Sequence, residues 1–515
     1  MPVVVEIRRN TYQDSVSLMR LSSELLGELG VRSAALLMGT PQNVEILREG
    51  GLDAPELETA RPADLVIAID ATLEVEASAA IMAAVAALDR AATPSLDPAT
   101  EQRPAVATIT EAATEANLAL ISAPGPYAGA EALKALKAGL HVHLFSDNVP
   151  IDQEVALKRF AVERDLLMMG PDCGTSIVNG ISLGFANAVR RGRIGVVAAS
   201  GTGAQQVTVL VHRLGSGISQ AFGTGGRDLS PSVGGLTTRR ALRALLDDDE
   251  TTVVALISKP PAPEVAAAVL DEAAGAGKPV VVCFLGADPG PIQARGLIAA
   301  ATLEDAAIAA VRADQGAVSG VAADGEVSLP ALADGQRYVR GLFSGGTFCY
   351  EALLILRDLV GEVYSNIPLD KRLKLGDVDR SVGHTCIDFG EDEFTVGRPH
   401  PMIDFRLRNE RIIKEATDPE TAVILLDLVL GYGAHPDPAG ALLPAVQEAQ
   451  EIASRHGRQL AIVASVCGTE EDPQDLLAQE ERLRVAGVTV LPSNARAARL
   501  AGEIVTVGRP VGSRA

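Results

Sequence analysis

Short apolar runs and amphipathic stretches alternate along the chain and predict an α/β protein. The first runs, VVVEI at 3–7, AALLM at 34–38 and LVIAI at 65–69, have the length and composition of strands. Residues 14–29 place apolar side chains at helical spacing. We therefore predict that residues 1–102 form a small α+β head domain.

From residue 103 onward, strands and helices follow each other in βαβ order, which is typical of a parallel sheet covered by helices. Residues 103–190 contain the strand-like segments ANLALISAP, HVHLFSD and LLMMGPDCGTS and predict a Rossmann-like domain. Residues 191–315 continue this order from the strand GRIGVVAAS. A polar segment rich in Gly and Ala at 316–335 predicts a linker, and residues 336–510 predict the last domain.

The last two predicted domains repeat one unit. In each copy a strand ends in a turn rich in serine and glycine, and a helix with a 3.6-residue apolar period follows and stops at Gly215 or Gly361. The two turns are Ser200-Gly201-Thr202-Gly203 and Ser344-Gly345-Gly346-Thr347. Serine is a favoured helix cap, and glycine is a favoured helix stop. The repeat therefore predicts two flavodoxin-like domains of the same topology.

The two turns carry the first candidate chemistry. The free N–H groups of a helix N-terminus and the positive end of its dipole together hold a phosphate or a carboxylate. For one turn alone, an ordinary cap with glycines for close packing is the better explanation. Because the turns occupy equivalent positions in duplicated domains, a pseudo-twofold pairing would aim both helices at one anion. We predict that all eight residues of the turns bind phosphate.

Two glycine-containing loops are weaker candidates. In FGTGGRD, Gly225 and Gly226 would let the backbone approach a substrate and Arg227 would bind an oxyanion. In FTVGRPHPMID, Arg398 and His400 would bind an oxyanion or polarise a carbonyl as catalytic groups. A polar turn at the carboxyl edge of a sheet would have the same composition without either role.

Two further histidines complete the catalytic candidates. His384 and His435 lie in VGHTCIDFG and LGYGAHPDP, although an isolated histidine is more often packed or solvated than catalytic. The five cysteines are scattered without a CxxC pair, so neither a zinc site nor a disulfide framework is indicated. We predict no metal site.

Composition narrows the possible partners. Aromatic residues make up 3% of the chain and tryptophan is absent, which disfavours base stacking. The net charge of -21 disfavours binding to nucleic acid or to an anionic membrane. The N-terminus lacks the charged and apolar regions of a signal peptide, and no run approaches the ~18 apolar residues of a membrane span. We expect a cytoplasmic protein.

Four segments, taken in order, resemble a known family. LLMMGPDCGTS, GRIGVVAASGTGAQQ, FGTGGRD and KPVVVCFLG are similar to the α subunit of succinyl-CoA synthetase. RGLFSGGTFCYE through LDLVLGYGAH is similar to the C-terminal domain of its β subunit. With a head that contains NTYQDSVSLM and MGTPQN, the chain resembles the FdrA-like proteins over nearly its full length. The resemblance implies a CoA-binding-type Rossmann domain at 103–190 and two succinyl-CoA synthetase-like domains after it.

The chain departs from the superfamily at two positions that matter for its chemistry. In the superfamily the two helices converge on a phosphohistidine that follows the strand matching VVVCFLG, whereas this chain continues with ADPGPIQARGLIAAA and has no histidine there. The acidic partner expected in a neighbouring loop is replaced by Ser258-Lys259-Pro260-Pro261. The resemblance therefore implies an anion site that holds an acyl phosphate without a phosphohistidine.

The resemblance also implies a reaction. FdrA-like proteins are associated with oxamate carbamoyltransferase in purine (allantoin) catabolism, which implies small anionic substrates such as carbamoyl phosphate, another acyl phosphate or oxamate. It implies further enzyme subunits and an oligomer, with no certain cofactor. Two alternatives stay open. One is an acyl-CoA synthetase subunit that uses CoA and ATP with magnesium together with partner chains, and the other is a non-catalytic regulatory subunit.

Overall fold

The structure of the protein is a computed structural model. The structure describes residues 3–13, 17–18, 21–22, 25–26, 30–92, 108–275, 277–316, 318, 332–395 and 398–507. The chain forms two compact units. The first comprises residues 1–111 with 392–404, and the second comprises residues 112–391 with 405–515.

The first unit contains the predicted head domain. Its elements are β1 (Val3–Arg8), β2 (Val31–Met38), α1 (Pro41–Glu49), β3 (Leu65–Ala71) and α2 (Glu74–Ala92). The strands form an antiparallel sheet in the order β1-β3-β2. Alternate side chains of β3 point to opposite faces, so Leu65 and Ile67 pack with α2 while Val66 packs with α1. The three predicted strands are confirmed, and the predicted helix at 14–29 lies largely outside the described residues.

The second unit begins with the predicted Rossmann-like segment. Its elements are α3 (Ile109–Ala112), β4 (Leu118–Ile121), α4 (Gly125–Lys137), β5 (His141–Leu144), α5 (Ile151–Val162), β6 (Met168–Met169), β7 (Thr175–Val178) and β8 (Ile181–Gly184). Strands β4, β5 and β6 form a parallel sheet in that order, which confirms the predicted βαβαβ unit. The β7–β8 hairpin instead joins the sheet of the following segment.

The two predicted flavodoxin-like segments follow in the same unit. The first contains β9 (Arg191–Ala198), α6 (Gly201–Arg213), β10 (Ile218–Gly223), α7 (Leu236–Asp247), β11 (Val253–Ser258), α8 (Pro263–Ala274), β12 (Val280–Phe284), α9 (Gly290–Gln293), β13 (Ile298–Ala299) and α10 (Leu303–Gln315). The second contains β14 (Tyr338–Phe343), α11 (Gly346–Val360), β15 (Val363–Ser365), β16 (His384–Asp388), α13 (Arg406–Thr417), β17 (Thr421–Val429), α14 (Pro438–Arg455), β18 (Ala461–Cys467), α15 (Leu476–Val485), β19 (Thr489–Leu491) and α16 (Asn494–Val507). The short helix α12 (Asp392–Thr395), which lies between β16 and α13 along the chain, belongs to the first unit. Most of the predicted linker at 316–335 lies outside the described residues.

The strand orders support the predicted duplication. One sheet has the order β13-β12-β11-β9-β10-β7-β8 and the other has the order β15-β16-β14-β17-β18-β19. Strand β9 lies between β10 and β11, which is flavodoxin-like winding, and β14 lies between β16 and β17, with β15 on the outer side of β16. The chain therefore changes direction at the carboxyl ends of β9 and β14, where open α/β sheets bind ligands. Helices α6 and α11 begin at these two points.

One predicted loop belongs to a different unit from the one expected. The segment 392–404, which carries Arg398 and His400, has its contacts with the head domain and forms part of the first unit. Its position along the chain, directly after β16, predicts that it belongs to the last domain. Chain continuity was misleading here, since long-range packing decides to which compact unit a connecting segment belongs.

Within the described part of the chain, no helix has the length and apolar character needed to cross a membrane.

A hydrogen-bonded network joins the last segment to the residues just before β9 and to α6. Asp472 accepts hydrogen bonds from Asn187 Nδ2 (2.8 Å), Ala188 N (2.7 Å) and Thr469 N (2.8 Å). At the end of α6, His212 Nδ1 accepts from Arg190 N (2.9 Å) while its Nε2 lies 2.9 Å from Glu470. His212, Glu470 and Glu471 are near enough to hold a metal ion, but both ring nitrogens of His212 are already engaged. We assign this cluster to the joint between the segments.

Helix α11 is joined to the other segment by a buried glutamate. Glu351 accepts from Leu303 N (2.8 Å), at the start of α10, and from Asn494 Nδ2 (2.8 Å). Burial raises the pKa of Glu351 to about 7, although both hydrogen bonds lower it. The carboxyl therefore retains its proton in the folded protein at pH values where the unfolded chain has lost it.

This raised pKa predicts how stability depends on pH. The folded protein binds the Glu351 proton more tightly than the unfolded chain, so its stability is highest below the unfolded pKa and decreases as pH rises towards about 7. The loss is about 3 kcal/mol for this group. Asp388, whose pKa is also raised to about 7, contributes a slope of the same sign, so Glu351→Gln should reduce the slope by about half in urea unfolding followed from about pH 5 to pH 8. Glu451→Gln, at an exposed position, should keep the slope of the wild type. An unchanged slope in Glu351→Gln would contradict the assignment.

Candidate functional site

The first predicted turn caps helix α6. Ser200 has an extended backbone, and its Oγ accepts a hydrogen bond from Gly203 N at 2.9 Å. A Cβ on Gly203 would lie 2.5 Å from this oxygen, so glycine is required for the turn to close. The sequence-based cap is confirmed at this position.

The second turn is built differently. The N-cap of α11 is Gly345, and no side chain caps the helix. Ser344 instead donates from both its backbone N and its Oγ to Asp427 on β17, each at 2.7 Å, and Gly345 N donates to the same carboxylate at 3.0 Å. The expectation that Ser344 caps the helix was wrong, because a hydrogen bond to a buried carboxylate is stronger than a bond to a helix amide.

The two turns meet in the folded protein. Ser200 Oγ lies 2.5 Å from Thr347 Oγ1, which joins the starts of α6 and α11. A Cβ on Gly345 would lie 2.8 Å from Thr202 Cγ2, so the missing side chain permits this approach. Gly201 and Gly346 are only partly buried. The structure thus brings both turns to one place, and their predicted binding of phosphate stays a prediction.

A cation and a buried acid lie beside the joined turns. A Cβ on Gly346 would overlap Asp388 Oδ2 and lie 3.5 Å from Lys259 Nζ. Asp388 ends β16 and is 2% exposed, and Lys259 follows β11 in the other segment. Burial raises the pKa of Asp388 to about 7, while the charge of Lys259 lowers it. In the sequence, the only signal for this pair is that each residue lies at the carboxyl end of a strand.

The predicted substrate loop is occupied by structural contacts. Arg227 Nη2 donates to Val149 O at 2.7 Å and lies 2.9 Å from Glu154 Oε2, so the arginine attaches the loop to the preceding Rossmann-like segment. Gly225 has a positive φ of 86° and allows the loop to pass the backbone of Pro171. Gly226 follows at an exposed position. The predicted substrate binding by these three residues stays a prediction.

The four predicted catalytic residues are divided between the two units. His384 begins β16, at the opposite end of this strand from Asp388, where its Nδ1 accepts from Val339 N at 3.2 Å. His435 lies in the loop after β17; its Nδ1 accepts from Asp437 N at 3.0 Å. Arg398 and His400 are in the first unit. The catalytic roles of all four residues stay predictions.

Three family models match the chain. The model for the CoA-ligase domain matches residues 342–504, and the model for the CoA-binding domain matches residues 189–286. The latter range coincides with the first flavodoxin-like segment and not with 103–190. A third model, for the AllF heavy metal-associated domain, matches residues 1–106. Residues 1–106 contain neither cysteine nor histidine, so this head lacks the thiolate and imidazole ligands of a heavy-metal site.

Individual relatives match parts of the chain. The α subunits of ADP-forming succinate–CoA ligase from Trichomonas vaginalis (mitochondrial alpha-2) and Aquifex aeolicus are 32% and 31% identical over 130 and 144 residues, which cover 24% and 26% of this chain. The matches span 41% and 46% of those subunits, less than half of their lengths. A solved acetyl-coenzyme A synthetase 1 from Ca. Korarchaeum cryptofilum is 15% identical with a TM-score of 0.32, covering 77% of this chain and 85% of that one. The fold and the matched domains together define a member of the succinyl-CoA synthetase superfamily with a ligase-type fold.

A full-length relative narrows the family further. The protein YahF of Escherichia coli strain K12, which is described as uncharacterized, is 44% identical over 515 residues, or 99% of each chain. The chain therefore belongs to the FdrA-like family within this superfamily.

Proposed function

We propose that this chain is the phosphoryl-binding subunit of a carbamoyl- or acyl-phosphate-transferring enzyme, with oxamate carbamoyltransferase in purine (allantoin) catabolism as the specific reaction. The observation that carries the proposal is the direct contact between the starts of α6 and α11 through Ser200 and Thr347. Two helix N-termini beside each other concentrate N–H donors and positive potential at one point, which suits a phosphoryl group.

The residues around this point favour transfer without a phosphohistidine. Lys259 stands where the superfamily has an acidic partner, and residues 285–300 after β12 contain no histidine. A lysine ammonium stabilises a bound phosphoryl group directly, whereas an acid would orient a histidine. In the proposed reaction, an amide nitrogen attacks the carbamoyl carbon, and phosphate departs into the site formed by the two turns. Positive charge held in place stabilises the departing anion as its charge grows.

An acyl-CoA synthetase subunit is the second candidate. The matches to CoA-binding and CoA-ligase domains favour it. The buried hydroxyl of Ser146, just beyond the carboxyl end of β5, has no hydrogen-bond partner in the described part of the chain and would suit a polar group of bound CoA. In this candidate, partner chains would supply the nucleotide site and the phosphorylated histidine.

Calorimetric titration of the purified chain separates the candidates. We expect saturable binding of inorganic phosphate and carbamoyl phosphate, and weaker or no binding of CoA or of ATP with magnesium. Binding of CoA or ATP without phosphate would replace the transferase by the ligase. The third outcome is that the chain binds phosphate but that disrupting the site leaves the turnover of the complex with its other subunits at the wild-type rate. This outcome would favour a regulatory subunit.

The contact between the turns can be tested by removing its hydroxyls. Ser200→Ala and Thr347→Val should each weaken phosphate binding by about tenfold, since each loses a hydroxyl at the site and the mutual bond at 2.5 Å. The loss of phosphate affinity in the double variant should be smaller than the product of the two single losses, because both substitutions remove the same hydrogen bond. Thr417→Val, at an exposed position on α13, is the matched control and should bind phosphate normally. Full affinity in the double variant would exclude this place as the phosphate site.

A further inference from the structure

Asp388 is a buried acid whose role the proposed phosphoryl site does not yet explain. The side chain is 2% exposed, and its Oδ1 accepts from Gly390 N at 2.9 Å. No hydrogen bond to Oδ2 is formed by the described residues, and this oxygen faces Gly346 at the first turn of α11. Helix α11 is fifteen residues long and has no side-chain cap. A buried carboxylate side chain with one oxygen that accepts no hydrogen bond, facing uncapped helix amides, marks a place for a polar ligand.

Charges of both signs act on the pKa of Asp388. Four titratable groups face it: Lys259 from the loop after β11, Glu391 from the turn after β16, Asp427 from β17 and Cys349 from α11. Of these four, Lys259 alone is a cation, and its charge lowers the pKa of Asp388. Burial raises this pKa to about 7, and both Glu391 and Asp427 raise it further. A small change in the surroundings therefore decides whether the carboxyl has a proton.

We propose that Asp388 and a phosphoryl group bound at the start of α11 share one proton, with Lys259 as the balancing cation. The inference rests on the proposed function and assigns Asp388 a part in it. Two oxyanions in hydrogen-bonding contact repel each other unless a proton lies between them. An acyl phosphate has no proton of its own near neutral pH, so the shared proton is on Asp388 when this substrate binds. Inorganic phosphate has a proton and can donate it to an ionised Asp388.

The shared proton has a defined path in the transfer reaction. When the bond between the acyl carbon and the phosphate oxygen breaks, its electron pair stays on the oxygen, which takes the proton of Asp388. The products at the site are hydrogen phosphate and the Asp388 carboxylate. The attacking nitrogen forms the new bond to carbon and releases one proton, which restores the carboxyl. Proton number is conserved, and Asp388 acts as general acid and then as base near its own pKa.

A comparison of sulfate with phosphate tests the shared proton directly. Sulfate has the same shape and no proton at neutral pH, so it should bind only while Asp388 is protonated. With the pKa near 7, the sulfate affinity of the wild-type chain should fall about tenfold between pH 6 and pH 8 in calorimetry. Phosphate affinity should fall by less than about threefold, because the ligand can supply the proton. Sulfate affinity that is the same at both pH values would overturn the proposal.

Variants distinguish the proton from the charge. Asp388→Asn should bind sulfate equally well at both pH values, and Lys259→Met should bind both anions about tenfold more weakly while the pH effect on sulfate remains. Asp379→Asn, at an exposed position, should match the wild type. A pH effect on sulfate that persists in Asp388→Asn would also overturn the proposal. If the wild type binds neither sulfate nor phosphate at either pH, there is no phosphoryl site, and the proposed function is refuted as well. If the wild type binds phosphate but its sulfate affinity does not change with pH, only the shared proton is refuted.

Discussion

Replacing Gly345 with valine should weaken phosphate binding at least a hundredfold while the protein still folds. The Cβ of any larger residue would lie 2.8 Å from Thr202 Cγ2, and the added methyl groups would push the starts of α6 and α11 apart. The N–H groups of the two helices would then no longer meet at one anion. A hundredfold loss corresponds to about 2.7 kcal/mol of binding free energy. Calorimetry with inorganic phosphate measures this effect.

The matched control is Gly376→Val. This glycine has no neighbouring atom within 4 Å of its Cβ position and lies far along the chain from either turn. It should leave both folding and phosphate binding unchanged. Circular dichroism should show the same helix content for Gly345→Val, Gly376→Val and the wild type. A folded Gly345→Val that binds phosphate with normal affinity would show that the anion does not need both helices.

Asp427→Ala should destabilise the protein by about 3–5 kcal/mol, the largest effect that we expect on folding. Arg408 is fully buried, and its Nη1 lies 3.0 Å from Asp427 Oδ1. Burial lowers the pKa of Arg408, while the charge of Asp427 raises it. Removal of the carboxylate would leave a buried cation without its partner and would also release the backbone of Ser344 and Gly345. Urea unfolding measures the change in the free energy of unfolding.

A second variant separates these two causes. Asp427→Ala combined with Arg408→Met leaves no unpaired charge in the core, so it should be more stable than Asp427→Ala alone. The remaining loss would report the turn at Ser344 and Gly345. Asp379→Ala, at an exposed position, should change stability by less than about 0.5 kcal/mol. Equal stability of the single and double variants would mean that the buried cation contributes nothing.

The sequence predicted the order of the elements and the duplication because both are recorded in local patterns. Apolar spacing indicated the strands of the head, and the repeated turns placed the starts of α6 and α11 within a residue of where they lie. The stops at Gly215 and Gly361 follow from the same local rule, since each has the positive φ that glycine adopts readily. The missing histidine after β12 is likewise visible in the sequence alone.

Only the tertiary structure decided which side chains share the site. Ser344 turns to Asp427, Arg227 is engaged by Glu154, and the segment 392–404 packs with the head, and none of these is indicated by spacing along the chain. Helix and strand patterns depend on residues a few positions apart, whereas partners of a buried charge are brought together by the packing of distant elements. For that reason the sequence identified the two turns, and only the fold brought Lys259 and Asp388 beside them.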